Sequence, residues 1–225
     1  MENKSVALDG PSGAGKSTLA RKAAERFGYI YVDTGALYRS IGLFVLKRDI
    51  KSNDEISVSA ALQNINLEMN YNEDGVQRMI MNGEDVTEQI RTPQVSTYAS
   101  DVSAMPSVRE FLLNMQRDMA RKYNIIMDGR DIGTVVLPNA GLKVFIVADA
   151  AVRAKRRYDE LIARGMDVNF EDVLSDMTLR DKNDSEREIA PLKAADDAVL
   201  LDTTEFTFEE SVDALCNIIS ERFNY

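Results

Sequence analysis

Gly10, Gly15, Lys16 and Ser17 are spaced as G-x-x-x-x-G-K-S inside LDGPSGAGKSTL, residues 8–19. Glycines at these places let the chain turn back on itself and let its backbone approach an anion closely. Backbone N–H groups in such a loop cradle phosphates, the lysine reaches the β/γ-phosphates, and the hydroxyl meets Mg²⁺. Gly10, Pro11, Ser12, Gly13, Ala14, Gly15, Lys16, Ser17 and Thr18 are therefore candidates for holding a nucleoside triphosphate, with Ser17 as a metal ligand.

Such a loop works only between a strand and a helix. Lys4 to Leu8 is a short apolar run suited to a buried parallel strand. Beyond the loop, Leu19, Ala20, Ala23, Ala24 and Phe27 recur at helical spacing, and Gly28 is a stop signal. The helix N-terminus would then face the phosphates.

Arginines and acids downstream suggest a second anion. A strand over Tyr29 to Val32 runs into DTGALYRS, where Asp33, Thr34 and Gly35 are expected to form a loop before a helix that carries Arg39. Ser107 and Glu110 have the spacing of a capping box after Pro106, which would put Arg109 in the first turn of a helix. A cation is disfavoured there by the helix dipole unless an anion binds nearby. Ile125 to Met127 reads as a buried strand leading to Asp128, a candidate second Mg²⁺-shell carboxylate, followed by Arg130 and Asp131. Ligands bind at the carboxyl ends of strands in open α/β sheets. Arg153, Arg156 and Arg157, spaced i, i+3, i+4, would share one helical face, either a solvated charge run or, favoured in so acidic a chain, a mobile lid over the triphosphate. Arg180, Asp184 and Arg187, spaced i, i+4, i+7, would line another if that helix continues so far.

Between these segments the period changes. Ile65, Leu67, Met69 and Tyr71 alternate with polar residues, Asn72 to Gly75 is a turn cluster, and Asn82-Gly83 is a hairpin signal. A three-stranded antiparallel meander inserted in an αβ chain is expected. The last strand is read at Val199 to Leu201, followed by a helix capped by Thr207 and Glu210.

Composition narrows the chemistry. A net charge of −10 argues against non-specific binding to nucleic acid or to a membrane surface. Cys216 is alone and there is no histidine, which removes intrachain disulfides, zinc–histidine sites and imidazole catalysis. No apolar run approaches the ~18 residues of a membrane span, and a signal peptide has no room before the first strand. A cytoplasmic protein is expected. A phosphate acceptor suits the missing histidine, because a phosphomonoester with a second pKa of ~6 is largely dianionic at neutral pH and needs no general base.

DGPSGAGKST, DTGALYR, IRTPQVSTYASDVSAMPSVRE, DGRDIGTVVLP, RAKRR and RD..DSERE.APL..ADDA occur in that order over nearly the whole chain. In these segments the sequence resembles the bacterial cytidylate kinases, nucleoside monophosphate kinases. The resemblance implies an α/β fold of the P-loop NTPase type, with a parallel sheet flanked by helices. It adds a small antiparallel CMP-binding insert at about 64–91 and a short arginine-rich helical lid at about 151–168 of a single domain spanning 1–225. It further implies ATP-dependent, Mg²⁺-requiring phosphorylation of CMP and dCMP by a monomer. Gly10 to Thr18 match the ATP loop. Thr34, Arg39, Ser100, Arg109, Arg130, Asp131, Arg180, Asp184 and Arg187 match acceptor contacts, with Asp184 and Arg187 selecting cytosine nucleotides. Lys16, Arg130, Arg153, Arg157 and Arg180 would stabilise the migrating phosphoryl group, and Ser17 with Asp128 would serve the metal. Two other readings start from the same loop. One is a kinase for UMP or for a metabolite hydroxyl, with Asp33 or Asp131 as base. The other is a GTP-dependent switch, for which the nearest guanine signature, DKND at 181–184, has the wrong order.

Overall fold

The computed structural model describes residues 3–225. These divide into two compact units, one built from the chain up to Tyr31 together with Tyr123–Tyr225, the other from Val32–Lys122.

The first unit carries a five-stranded parallel sheet in the order β2-β6-β1-β7-β8. Its strands are β1 Ser5–Asp9, β2 Ile30–Asp33, β6 Ile125–Gly129, β7 Leu142–Val147 and β8 Val199–Asp202. β1 lies between β6 and β7, with Leu8 opposite Asp128 and Val144. Strand side chains alternate between faces. Val6 and Leu8 therefore join Ile126, Val144 and Ile146 in a core with α1 (Lys16–Phe27) and α8 (Phe208–Phe223). Ala7 and Asp9 point to the opposite face. The chain leaves β1 toward β2 on one side and reaches β7 on the other, which makes the carboxyl end of β1 a topological switch point.

The helix signals read from sequence hold at both ends of this unit. Gly28 closes α1 in the left-handed conformation, φ 65°. Thr207 and Glu210 form the full capping box of α8, and Cys216 is buried in that helix with a free thiol.

The second unit folds around α2 (Thr34–Leu46), α3 (Glu55–Ala61), the meander β3 (Leu67–Tyr71), β4 (Gln77–Met81) and β5 (Glu84–Asp85), α4 (Pro93–Val102) and α5 (Pro106–Lys122). The three strands pair antiparallel as expected, and Asn82 and Gly83 take positive φ in the tight turn. Leu37, Ile41 and Phe44 of α2 join Met79, Met81, Val95 and Leu112 in one core. A Cβ on Gly42 would lie 2.9 Å from the Ala99 amide nitrogen, so only glycine lets α2 and α4 cross this closely.

Three expectations are corrected. Asp33, Thr34 and Gly35 form no separate loop: α2 begins at Thr34, because Asp33 caps it by accepting the Ala36 N–H at 2.9 Å. The Ser107–Glu110 capping box does not form, since α5 starts one residue earlier with Pro106 and leaves the Ser107 hydroxyl buried without a partner. Arg187 does not extend the face of Arg180 and Asp184. The helix α7 (Phe170–Glu186) stops before it, and Arg187 adopts extended backbone with its Nε donating to the Ala190 carbonyl.

Candidate active site

The loop after β1 passes so close to β7 that a Cβ on Gly10 would sit 2.1 Å from the Ile146 carbonyl oxygen. Gly10, Gly13 and Gly15 all have positive φ, which curls the loop and delivers it into α1. Gly15 caps α1 with no side-chain acceptor, so the first-turn amides retain their capacity to bind an anion. Lys16 is 5% exposed and folds back, its Nζ donating to the Pro11 carbonyl at 2.7 Å. Burial, and next the Arg130 guanidinium, hold the Lys16 ammonium well below the usual lysine range, while Asp128, Asp9 and Asp184 favour its charge.

Ser17, in the first turn of α1, donates to Asp128 at 2.7 Å, and Tyr31 donates to the other Asp128 oxygen at 3.0 Å. Asp128 ends the buried run of β6 and is itself buried. A hydroxyl and a carboxylate are the hard oxygen ligands that Mg²⁺ takes together with phosphate oxygens and water. The two side chains fit that ion.

Beyond β6 a second set of side chains gathers. Arg130 Nε donates to Asp184 at 2.8 Å, and Arg187 reaches Asp131 at 3.4 Å and Asp184 at 4.0 Å. The Arg187, Asp131 and Asp184 side chains are all at most 8% exposed. Arg130, Asp131, Asp184 and Arg187 are thus brought together as two cations interleaved with two carboxylates, although Arg187 arrives from a loop. Arg180, on α7, is half-buried.

In the second unit, Thr34 and Arg39 stand on α2, Ser100 on α4 and Arg109 on α5. Arg39 pairs with Asp33 at 2.8 Å. Arg109 is buried, donates to the Ser103 carbonyl at 3.1 Å and lies 5.8 Å from the Tyr38 ring of α2.

The expected arginine face of α6 (Ala150–Ala163) divides into three roles. Arg153 is 7% exposed and donates to the Ala148 and Ser12 carbonyls and to Asp181, so it clamps the glycine loop. Arg156 donates to the Thr203 carbonyl at 2.8 Å. Arg157, its side chain 32% exposed, pairs with Glu160. A shared mobile face is corrected on this point: two of the three arginines are spent on backbone carbonyls, Arg153 on Ser12 and Ala148 and Arg156 on Thr203 just past β8. Asp181 accepts the Ser12 N–H at 3.0 Å, so the DKND string lies within α7 and not in a base-reading loop.

Sequence reasoning missed Asp9, Tyr31 and Asp181. Asp9 accepts the Ile132 and Gly133 N–H groups at 2.8 and 2.7 Å. Burial pushes its carboxyl up to about 6, while the two amides favour the charged form. A carboxylate closing an apolar strand beside the loop was the available signal for Asp9. Nothing in the sequence marks Tyr31 or Asp181.

The cytidylate kinase family model matches residues 6–221. The chain belongs to the cytidylate kinase family. A cytidylate kinase from Caldicellulosiruptor saccharolyticus is 49% identical over 210 residues, 93% of this chain and 92% of the relative. One from Clostridium botulinum is 46% identical over 219 residues, 97% and 99% of the two chains. Among solved structures, a shikimate kinase from Bacteroides thetaiotaomicron superposes with a TM-score of 0.50 at 13% identity, covering 99% of both chains, a likeness of fold alone. This member of the family is therefore a nucleotide-binding kinase. Among its described residues no helix is long and apolar enough to cross a membrane.

Proposed function

We propose that the protein transfers the γ-phosphoryl group of ATP to CMP and dCMP, giving CDP or dCDP and ADP. The family match over residues 6–221 carries this reading. The loop and the first turn of α1 hold the triphosphate. Thr34, Arg39, Ser100 and Arg109, together with Arg130, Asp131, Arg180, Asp184 and Arg187, hold the acceptor, and Asp184 and Arg187 favour cytosine.

An oxygen of the acceptor phosphate attacks the γ-phosphorus, the bond from that phosphorus to the β,γ-bridging oxygen breaks, and its electron pair leaves with ADP. No proton has to be removed from the dianionic acceptor first. Positioning and charge neutralisation dominate such transfers. Lys16, Arg130, Arg157 and Arg180 supply positive charge to the migrating group, while Arg153 acts by fixing the Ser12 carbonyl. Mg²⁺, held through Ser17 and Asp128, would neutralise β/γ charge. A hydroxyl acceptor has less support, because its candidate bases are engaged: Asp33 by Arg39 and the Ala36 amide, Asp131 by Arg187.

Reaction with γ-³²P-labelled ATP and CMP should move the label into CDP, one label per ADP formed. Label recovered as inorganic phosphate, or in a phosphate ester of a hydroxyl group, would replace this reaction with hydrolysis or with sugar-type phosphorylation.

A further inference from the structure

We propose that Asp9 is a positioning residue for the acceptor: from the end of β1 it holds the Arg130–Asp131 segment in its binding conformation. The inference rests on the reading above, in which Arg130 and Asp131 hold the acceptor.

After Asp131 the chain makes a single π-helical turn, Ile132–Val136. The first amides of any helical turn have no acceptor within it, and the residue at the cap usually supplies one from its own side chain. Asp131 stands at that cap, is of the type that usually does this, and makes no such bond. Its carboxylate is directed to Arg187 instead. Asp9 takes over the capping, one carboxylate oxygen for the Ile132 N–H and the other for the Gly133 N–H.

A purely structural cap would come more cheaply from Asp131 itself, without burying a second carboxylate at 5% exposure next to the first. The arrangement spares Asp131 the capping of this turn while its carboxylate pairs with Arg187. Because β1 and β6 are in register, Asp9 opposite Gly129, the cap also fixes where Arg130 leaves the sheet. Asp9 immediately precedes Gly10, so a single residue ties the acceptor segment to the root of the donor loop.

Asp9→Asn tests this. The amide side chain keeps one acceptor and turns an N–H donor toward the second backbone N–H. Asp131 should then swing onto the open amide and be lost to Arg187. KM for CMP should rise about tenfold or more, the scale expected when a charge-assisted hydrogen bond is lost. KM for ATP should change less than about threefold on the same scale. In an Asp131→Asn background the Asp9→Asn effect should largely vanish, because the two act as one unit.

An unchanged KM for CMP, an equal rise in KM for ATP, or full additivity with Asp131→Asn would each overturn the proposal. Should Asp9→Asn fail to fold, hydrogen exchange in the unsubstituted protein decides. Ile132 and Gly133 amides must be protected without CMP, and rapid exchange at both sinks the proposal. If the unsubstituted protein does not phosphorylate CMP at all, it is the proposed function that fails, and exchange at the two amides still reports separately on the cap.

Discussion

Lys16→Met should lower kcat by about 10²–10³, the usual cost of removing one preorganised charge from a transferring group, while thermal stability stays close to that of the parent. The two effects separate because Lys16 has a poor structural return. It is 5% exposed, its charge is disfavoured by burial and by Arg130, and its Nζ donates to the Pro11 carbonyl of its own loop. Methionine fills a similar volume without a charge to desolvate, and the carboxylates around it keep other donors: Asp9 the Ile132 and Gly133 amides, Asp128 the Ser17 and Tyr31 hydroxyls, Asp184 the Arg130 guanidinium. Stopped-flow or coupled ADP-release kinetics beside a thermal melt would check both halves. A large drop in melting temperature with kcat preserved would make Lys16 a structural lysine, and the loop would lose its role as phosphate donor site.

Arg187→Ala should raise KM for CMP, or depress turnover on it, by tenfold or more while ATP binding stays nearly intact. The guanidinium lies among the buried carboxylates of Asp131 and Asp184, and its loss weakens charge compensation at both. Truncating a buried charged hydrogen bond typically costs ~1.5–3 kcal/mol, which sets the tenfold scale. Arg187→Lys should recover little, since an ammonium cannot present the planar fork that spans two partners. Titration of each variant with ATP and with CMP separates the outcomes. Equal weakening of ATP would mean that the turn after α7 serves the donor.

The parts that repeat a local rule were legible before the fold was known. The glycine loop between a strand and a helix, the meander, the Gly28 stop and the Thr207–Glu210 box each depend on residues close in sequence. The parts that failed depend on competition between neighbours. Ser107 and Glu110 have capping spacing, but Pro106 starts α5 first because proline suits the opening position of a helix. Arg187 has helical spacing, yet the backbone turns extended there and Ala190 follows with positive φ.

The candidate site shows the same division. Ser17, Asp128, Arg130 and Asp184 could be picked out by residue type at the ends of strands and on helices. Their supports could not, because each lies far along the chain from what it holds. Asp9 acts on residues 132 and 133, Tyr31 on residue 128, and Asp181 on residue 12. A window of one helix or strand marks Asp9 only as a carboxylate closing an apolar run and does not reveal which distant groups any of the three bonds. Arg153 illustrates the cost: its spacing gave it a place on a lid, and only the fold shows that its guanidinium is spent on the Ser12 and Ala148 carbonyls and Asp181.

The central claim is that the loop takes the donor and the downstream arginines and acids choose a cytidine monophosphate to receive the phosphoryl group. The most direct measurement is kcat/KM for CMP, dCMP, UMP, AMP and GMP by coupled ADP release at saturating ATP and Mg²⁺. The account predicts that CMP and dCMP stand above the other three. A higher kcat/KM on UMP or AMP than on CMP would contradict it.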